Sequence, residues 1–530
     1  RLQAGPSSST RLSPFRAALP GLQVMLRWSA AFLGFLTLER PGLAAYDYED
    51  IVQKYCHTAM DWGSLPGRPS GATKLLQVQV FIRHGARTLS SSDVCWEGDS
   101  EGNWTCQLSY LENSIMTNSP MTPNFRTMYM PGRNAISGNC LTGQLVEAGF
   151  EMEKNNGKRL REAYIDREKL LPDTLADVEM QDLERLMFVR STDVPRTKQS
   201  GMALMSGLYS ENQVGALPYL PLMAMDFDKE DMIPNTKVCL AVGPAADQYF
   251  SDLPQGHADE LKALCSKLDP SKTTNSDCFW YLLHVVDCMM SRVCPTVPFS
   301  PKNTTLPPSL LSDDAALMRR VWKVVDEVQW GYFHALTRVG AFGALAYDFF
   351  TPAEQAAQGS EAPKFLLFSG HDTGPMEPLW AALDLRKNPP FWPPFASMAV
   401  LEIWAMGSGP VVRWVSNGDV VVGPIPFAEF KAQLSALVGS AKLCHTTPVG
   451  TQLWSDAPAT TEFAAAVAAG LASDRTYWPG AGLLAAVIAT SAVAGAGAAL
   501  LAVSLARRGG PRACRREDEA LHDARRWSFE

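Results

Sequence analysis

The stretch Val80–Thr88 reads VFIRHGART and sets one histidine, His84, between two arginines, Arg83 and Arg87, directly after an apolar run. Guanidinium groups are always charged and present planar donor forks that match the oxygens of a phosphoryl group. Their charge disfavours protonation of the imidazole between them, so a nucleophilic nitrogen stays available in acid. Two further stretches carry compatible groups. LMFVRSTDVPRT delivers Arg190 at the end of its apolar run, with Arg196 a few residues on as the alternative, and FLLFSGHDTG delivers His371 and Asp372. Arg83, Arg87, Arg190 and His371 gathered around His84 would bind a phosphate ester and stabilise transfer of its phosphoryl group, where positioning and electrostatics dominate. Asp372 can give the leaving alkoxide its proton, and a carboxylic acid of reference pKa about 3.9 is protonated only at low pH. The same cations repel a metal ion, so the site is read as metal-free, with no cofactor.

These groups have to be carried to one place. Leu75–Ile82, Leu186–Val189 and Phe365–Phe368 are short, nearly all-apolar runs of the kind that forms strands covered on both faces. In open α/β sheets ligands bind beyond the carboxyl ends of the strands, where all three runs deliver their polar residues. Leu317, Val321, Val325, Val328 and Tyr332 recur at three- and four-residue steps and predict an amphipathic helix, and Gln144–Tyr164 predicts another. The expected fold is α/β, with a mixed, mostly parallel sheet flanked by helices. Residues from about Leu204 to Leu310 are expected to form an inserted, mainly helical cap, Ser90–Cys140 long loops, and the chain from Met398 an edge hairpin.

The 530 residues are 46% hydrophobic with a net charge of −8, which suits a globular protein and argues against nucleic acid as a partner. Met25–Ala45 reads as a signal peptide, and residues 1–24 before it give no reason to expect order. No charged residue occurs between Arg475 and Arg507, a stretch long enough to span a bilayer, and Arg507, Arg508, Arg512, Arg515 and Arg516 follow it on the expected cytoplasmic side. The expected layout is a leader (1–45), an ectodomain (46–443), a stalk (444–476), a membrane helix (477–506) and a tail (507–530). That is a type I single-pass protein of the cell surface or an endolysosomal or secretory-pathway membrane. Gly495 and Ala499 would let two such helices pack as a homodimer. Ten of the eleven cysteines lie between Cys56 and Cys444, an even number that fits a disulfide-bonded ectodomain. A zinc site from Cys265, Cys278, Cys288 and Cys294 is disfavoured because no CxxC pair is present. Asn103 and Asn303 head glycosylation sequons, and Cys514 is a palmitoylation candidate or a free thiol.

RHGART, the later HD pair, and LTGQLVEAGF to GKRLREAY between them resemble the histidine acid phosphatase branch of the histidine phosphatase superfamily, over roughly Lys74–Leu443. The resemblance implies a phosphohistidine intermediate at His84, phosphate binding by Arg83, Arg87, Arg190 and His371, and Asp372 as proton donor. It also implies an α/β sheet with a helical cap, a phosphate monoester as substrate, and no metal. Leu89 stands where the family usually has proline, and the HD pair stands where inositol-polyphosphate phosphatases have HAE. A phytase or phosphosugar phosphatase on the same fold, or an inactive ectodomain that serves in binding or adhesion, are the alternatives.

Overall fold

The computed structural model describes residues 55–56, 62–90, 136–215, 217, 219–294, 313–383, 385 and 392–440, with Cys95, Trp104 and Cys106. The leader, the sequon asparagines Asn103 and Asn303, the stalk, the membrane span and the tail lie outside the described residues. Among the described residues no helix is long and apolar enough to cross a membrane.

The elements run β1 (Ala72–Arg83), α1 (Glu147–Leu160), α2 (Met180–Leu186), β2 (Met187–Ser191), α3 (Pro195–Leu208), α4 (Glu211–Val214) and β3 (Met223–Ala224). A run of helices follows: α5 (Val242–Ser251), α6 (Gln255–Leu268), α7 (Asn275–Val293), α8 (Asp313–Arg338) and α9 (Gly343–Gln358). The chain then returns to the sheet with β4 (Phe365–Gly370), α10 (Met376–Leu383), β5 (Met398–Met406), β6 (Gly409–Ser416), β7 (Asp419–Pro426) and α11 (Phe427–Ser440). The helix expected over Gln144–Tyr164 is α1, continued by a π-helical segment Arg161–Arg167.

The strands form a seven-stranded sheet in the order β3-β2-β4-β1-β5-β6-β7. The pairs β2–β3, β2–β4 and β1–β4 are parallel, whereas β1–β5, β5–β6 and β6–β7 are antiparallel. The sheet is therefore evenly mixed, which corrects the expectation of a mostly parallel one. The hairpin at Met398 is not at the edge either: β5 lies beside β1 and is buried along Met398–Trp404, while the more exposed β7 forms the edge. β4 is a continuous apolar run, and β1 is one broken by the buried Gln77 and Gln79, because helices cover both faces of the two strands. On one face Val78, Val80, Ile82, Leu367 and Val400 pack with Leu160, Tyr164, Leu204 and Leu208 of the α1–α3 region. On the other Phe81 stacks on Phe368, with ring centroids 4.9 Å apart, and meets Phe349 of α9 edge-on.

Disulfides between described residues tie the loops and the helical insertion together: Cys56–Cys294, Cys95–Cys288, Cys106–Cys140 and Cys265–Cys278. The four cysteines weighed above as zinc ligands are thus all in disulfides. Two of these bridges fasten the C-terminal half of α7 to segments near the start of the described chain.

Candidate active site

The parallel register pairs Arg83 with Gly370, so the last residue of β1 lies level with the last residue of β4. His84 and His371 are the next residues on their strands, and their rings meet edge-to-face with centroids 5.5 Å apart. His84 is held at both ends of its backbone, its N–H donating to Gly370 O at 2.9 Å and its carbonyl accepting from Ala396 N at 3.0 Å. The chain then turns under α1. A Cβ at Gly85 would lie 2.2 Å from the carbonyl oxygen of Gly149, and one at Gly149 would lie 2.1 Å from that of Ala86. Both positions must be glycine for the backbones to touch. Pairing with residues 143–146 fixes the rest of the loop: Ala86 O accepts from Val146 N at 3.1 Å, Thr88 N donates to Gln144 O at 2.9 Å, and Leu89 O accepts from Gly143 N at 2.6 Å. Leu89 itself is buried. This loop is held by hydrogen bonds and by the apolar burial of Leu89.

His84 is 1% exposed. Its Nδ1 lies 2.9 Å from Gly85 O, and a carbonyl only accepts, so Nδ1 carries the proton and Nε2 keeps a lone pair. Burial, then the charges of Arg196, Arg83 and Arg87, hold its pKa well below the ordinary histidine value. The flanking arginines therefore have the effect read from the sequence, with desolvation the larger cause. His371 is depressed in the same way, first by burial and then by Arg196. Its Nδ1 faces Arg196 Nη2 at 3.4 Å and its Nε2 lies 2.9 Å from Thr192 Oγ1. Arg196 can only donate, so the proton of His371 belongs on Nε2, directed at the Thr192 hydroxyl.

Asp372 follows on the same turn. Thr373 N donates to its Oδ1 at 2.9 Å, Trp392 Nε1 donates to Oδ2, and Arg83 Nη2 forms an ion pair with Oδ2 at 2.8 Å. Arg83 is fully buried behind it, with Nη1 donating to Pro393 O at 2.6 Å and to the Tyr55 hydroxyl. Arg87 reaches α7, where Asp287 accepts from its Nη2 through both carboxylate oxygens at 2.9 Å.

Arg190 does not join this cluster. In the register it pairs with Phe368, the partner of Phe81, so it sits two residues below the strand ends, roughly 6–7 Å back along the sheet. There its guanidinium is enclosed by Asp348 and Glu230, each at 2.7 Å, and by Asp231. Arg196 takes the place expected of it. Pro195 opens α3, which puts Arg196 in the first helical turn beyond the carboxyl end of β2. The assignment of Arg190 as the third arginine of the cluster is corrected accordingly. The helix-start proline was the sequence signal for Arg196.

Three buried carboxylates around one guanidinium leave an excess of negative charge, and burial followed by the Asp231 charge pushes Asp348 up to about 8. The native state therefore holds a proton there that the unfolded chain releases near its reference value of about 4. That stabilisation is complete at low pH and is lost as pH rises through about 8. The depressed His84 and His371 act oppositely, but only below about 6.5, where the unfolded chain takes up their protons. From pH 6.5 to 8 the melting temperature is thus expected to fall, and Asp348→Asn should flatten that fall; an unchanged slope in thermal melts would remove Asp348 as its origin.

His84, Arg87, Arg196, His371 and Asp372 line one small cavity, together with Leu283, Asp287, Gln329, Thr373 and Trp392. Asp287, Gln329 and Trp392 were not foreseen. An aspartate inside HVVDCMM, an otherwise apolar helix face, was the available signal for the first; the other two lie in segments without motif character. Among the described residues no three His, Cys, Asp or Glu side chains are grouped to hold a metal ion. The cavity can hold a tetrahedral oxyanion between two guanidinium groups, with an unprotonated imidazole nitrogen on one side and a carboxyl group on the other.

Residues 74–268, from β1 to the end of α6, match the model of the histidine phosphatase superfamily (branch 2). Counting factor 60 of Dictyostelium discoideum is 29% identical over 64% of this chain and 79% of its own length. Lysophosphatidic acid phosphatase type 6 of Bos taurus is 25% identical over 62% of this chain and 74% of its own, and 2-phosphoxylose phosphatase 1 of Mus musculus 24% over 70% and 76%. Among solved structures, the Klebsiella sp ASR1 phytase is 14% identical with a TM-score of 0.43, covering 69% of this chain and 96% of that one.

Proposed function

We propose, from the premise that this chain belongs to the histidine phosphatase superfamily (branch 2), that it is an acid phosphatase which hydrolyses phosphate monoesters through a phosphohistidine at His84. The observation that carries the reading is the His84 ring: Nδ1 is committed to Gly85 O, which leaves Nε2 as the nucleophile in a cavity shared with Arg87, Arg196, His371 and Asp372. In the first step Nε2 attacks phosphorus as the ester P–O bond breaks, and the bonding pair leaves on the alkoxide oxygen, which takes the proton of Asp372. Arg87 and Arg196 hold the phosphoryl oxygens, and His371 can donate to them once its contact with Thr192 is exchanged. In the second step water attacks phosphorus, its proton returns to Asp372, and the N–P pair returns to Nε2 as orthophosphate forms. Trp392 Nε1 and Arg83 fix the carboxyl group of Asp372 for both steps.

Asp372→Asn tests this division of labour. It is expected to slow hydrolysis of an alkyl phosphate roughly 10²- to 10⁴-fold, and that of p-nitrophenyl phosphate far less, because p-nitrophenolate leaves without a proton. Equal losses on both esters, measured at pH 5, would remove Asp372 as the acid. The anchored arrangement rests on the sequence alone: the uncharged stretch 477–506 with arginines after it would tether the enzyme as a type I protein, catalytic part luminal or extracellular. Release of the chain from membranes by alkaline carbonate would refute it.

A further inference from the structure

We infer that Asp287 is a specificity-determining residue, which restricts this enzyme to monoesters whose leaving group carries no second anionic group. The inference rests on the phosphatase reading above and names its substrate class. Asp287 lies on α7, in the wall of the same cavity, and both of its oxygens occupy Arg87 Nη2 at 2.9 Å. Its Oδ1 is also 3.9 Å from Arg83 Nη2, and Ser90 Oγ lies 3.3 Å from Oδ2. The remaining N–H groups of Arg87 are partly committed, Nη1 donating to Thr88 O at 2.9 Å and Ser291 Oγ at 3.1 Å. Arg87 and Arg83 hold Asp287 ionised, with its pKa below the ordinary carboxylate value in spite of its burial. A carboxylate thus stands where the outer oxygens of a phosphate would otherwise meet the Arg87 fork.

The charge balance gives the consequence. The three arginines at the site, Arg83, Arg87 and Arg196, contribute +3; Asp287 offsets one of these charges, and Asp372 offsets a second only once it has given up its proton. What remains matches one phosphoryl group. A second phosphate on the leaving group would find no further cation among the described lining residues, and would face the Asp287 carboxylate. Like charges in a partly desolvated cavity repel strongly, so such a substrate is rejected. A neutral leaving group that bears hydroxyls would instead donate to Asp287.

The test measures dissociation constants of orthophosphate and of inositol hexakisphosphate at pH 5 by calorimetry, for the full chain and for Asp287→Asn. Thermal melts check that the variant is folded, and p-nitrophenyl phosphate turnover by the unaltered chain tests the phosphatase reading separately. Asp287→Asn is expected to tighten orthophosphate about tenfold and the hexakisphosphate by a larger factor, with Asp287→Glu staying close to the unaltered chain. Weaker or unchanged orthophosphate binding by folded Asp287→Asn would overturn the inference, since it would make Asp287 a support that merely positions Arg87. Equal tightening of the two ligands would overturn the selectivity.

Discussion

Replacing His84 with alanine is expected to bring p-nitrophenyl phosphate hydrolysis at pH 5 to the uncatalysed background, a loss of at least about 10⁴-fold, with little change in melting temperature. The size of the loss follows from the lack of a substitute. His371 is the other imidazole in the cavity, but its ring is turned edge-to-face to His84, with Nε2 against Thr192 and Nδ1 against Arg196. It cannot present a lone pair along the same line of attack. The His84 ring itself makes one hydrogen bond, to the adjacent carbonyl, so its removal costs the fold little beyond a small buried void. Samples of the unaltered chain mixed with ³²P-labelled substrate and quenched in alkali should carry a base-stable, acid-labile phosphoryl group that His84→Ala lacks. Retention of activity by the variant to within tenfold would eliminate His84 as the nucleophile. Background-level release by both proteins would favour an ectodomain that binds without turnover.

The second large effect separates two arginines only six positions apart. Arg196→Ala should lower kcat/KM by about 10²- to 10³-fold and weaken orthophosphate binding, while the protein melts nearly as before. Arg190→Ala should act on the fold instead. It would leave the buried carboxylates of Glu230 and Asp231 with no counter-charge beside Asp348, which costs about 3–5 kcal/mol, a large part of the stability of a typical domain. The expected outcome is poor recovery of soluble protein, with recovery improved at low pH, where the carboxylates can be neutralised. A soluble Arg190→Ala that melts normally but has lost phosphate affinity, beside an active Arg196→Ala, would reverse the assignment.

The two arginines also mark how far the sequence could be read. RHG and HD were found because each follows an apolar run that ends at the sheet's carboxyl edge, and parallel neighbours bring such ends together. The length of a strand beyond its apolar run is not written in its composition. β2 extends to Ser191, so Arg190, which looks like the first residue past the strand, is still inside it and faces α9. Direction of pairing was illegible for a related reason: β5 is as buried as a parallel strand, because it sits between β1 and β6. Asp287 comes from a helix 200 residues away in sequence from Arg87, and only the folded chain shows that the two meet. The pairing of the cysteines was likewise unreadable, since ten residues of one kind carry no label for their partners.

That pairing bears on the walls of the site. Cys56 is next to Tyr55, which holds Arg83, and Cys294 and Cys288 lie on or beside the turns of α7 that carry Asp287 and Ser291. The bridges close loops of 238 and 193 residues, and neither cysteine pair includes a strand of the sheet. The sheet, with its apolar layers, does not depend on them for its pairing; the α7 wall of the phosphate cavity does. Loss of these two bridges would therefore be felt first in Tyr55 and the α7 turns that brace Arg83 and Arg87, while the strands that deliver His84 and His371 kept their pairing.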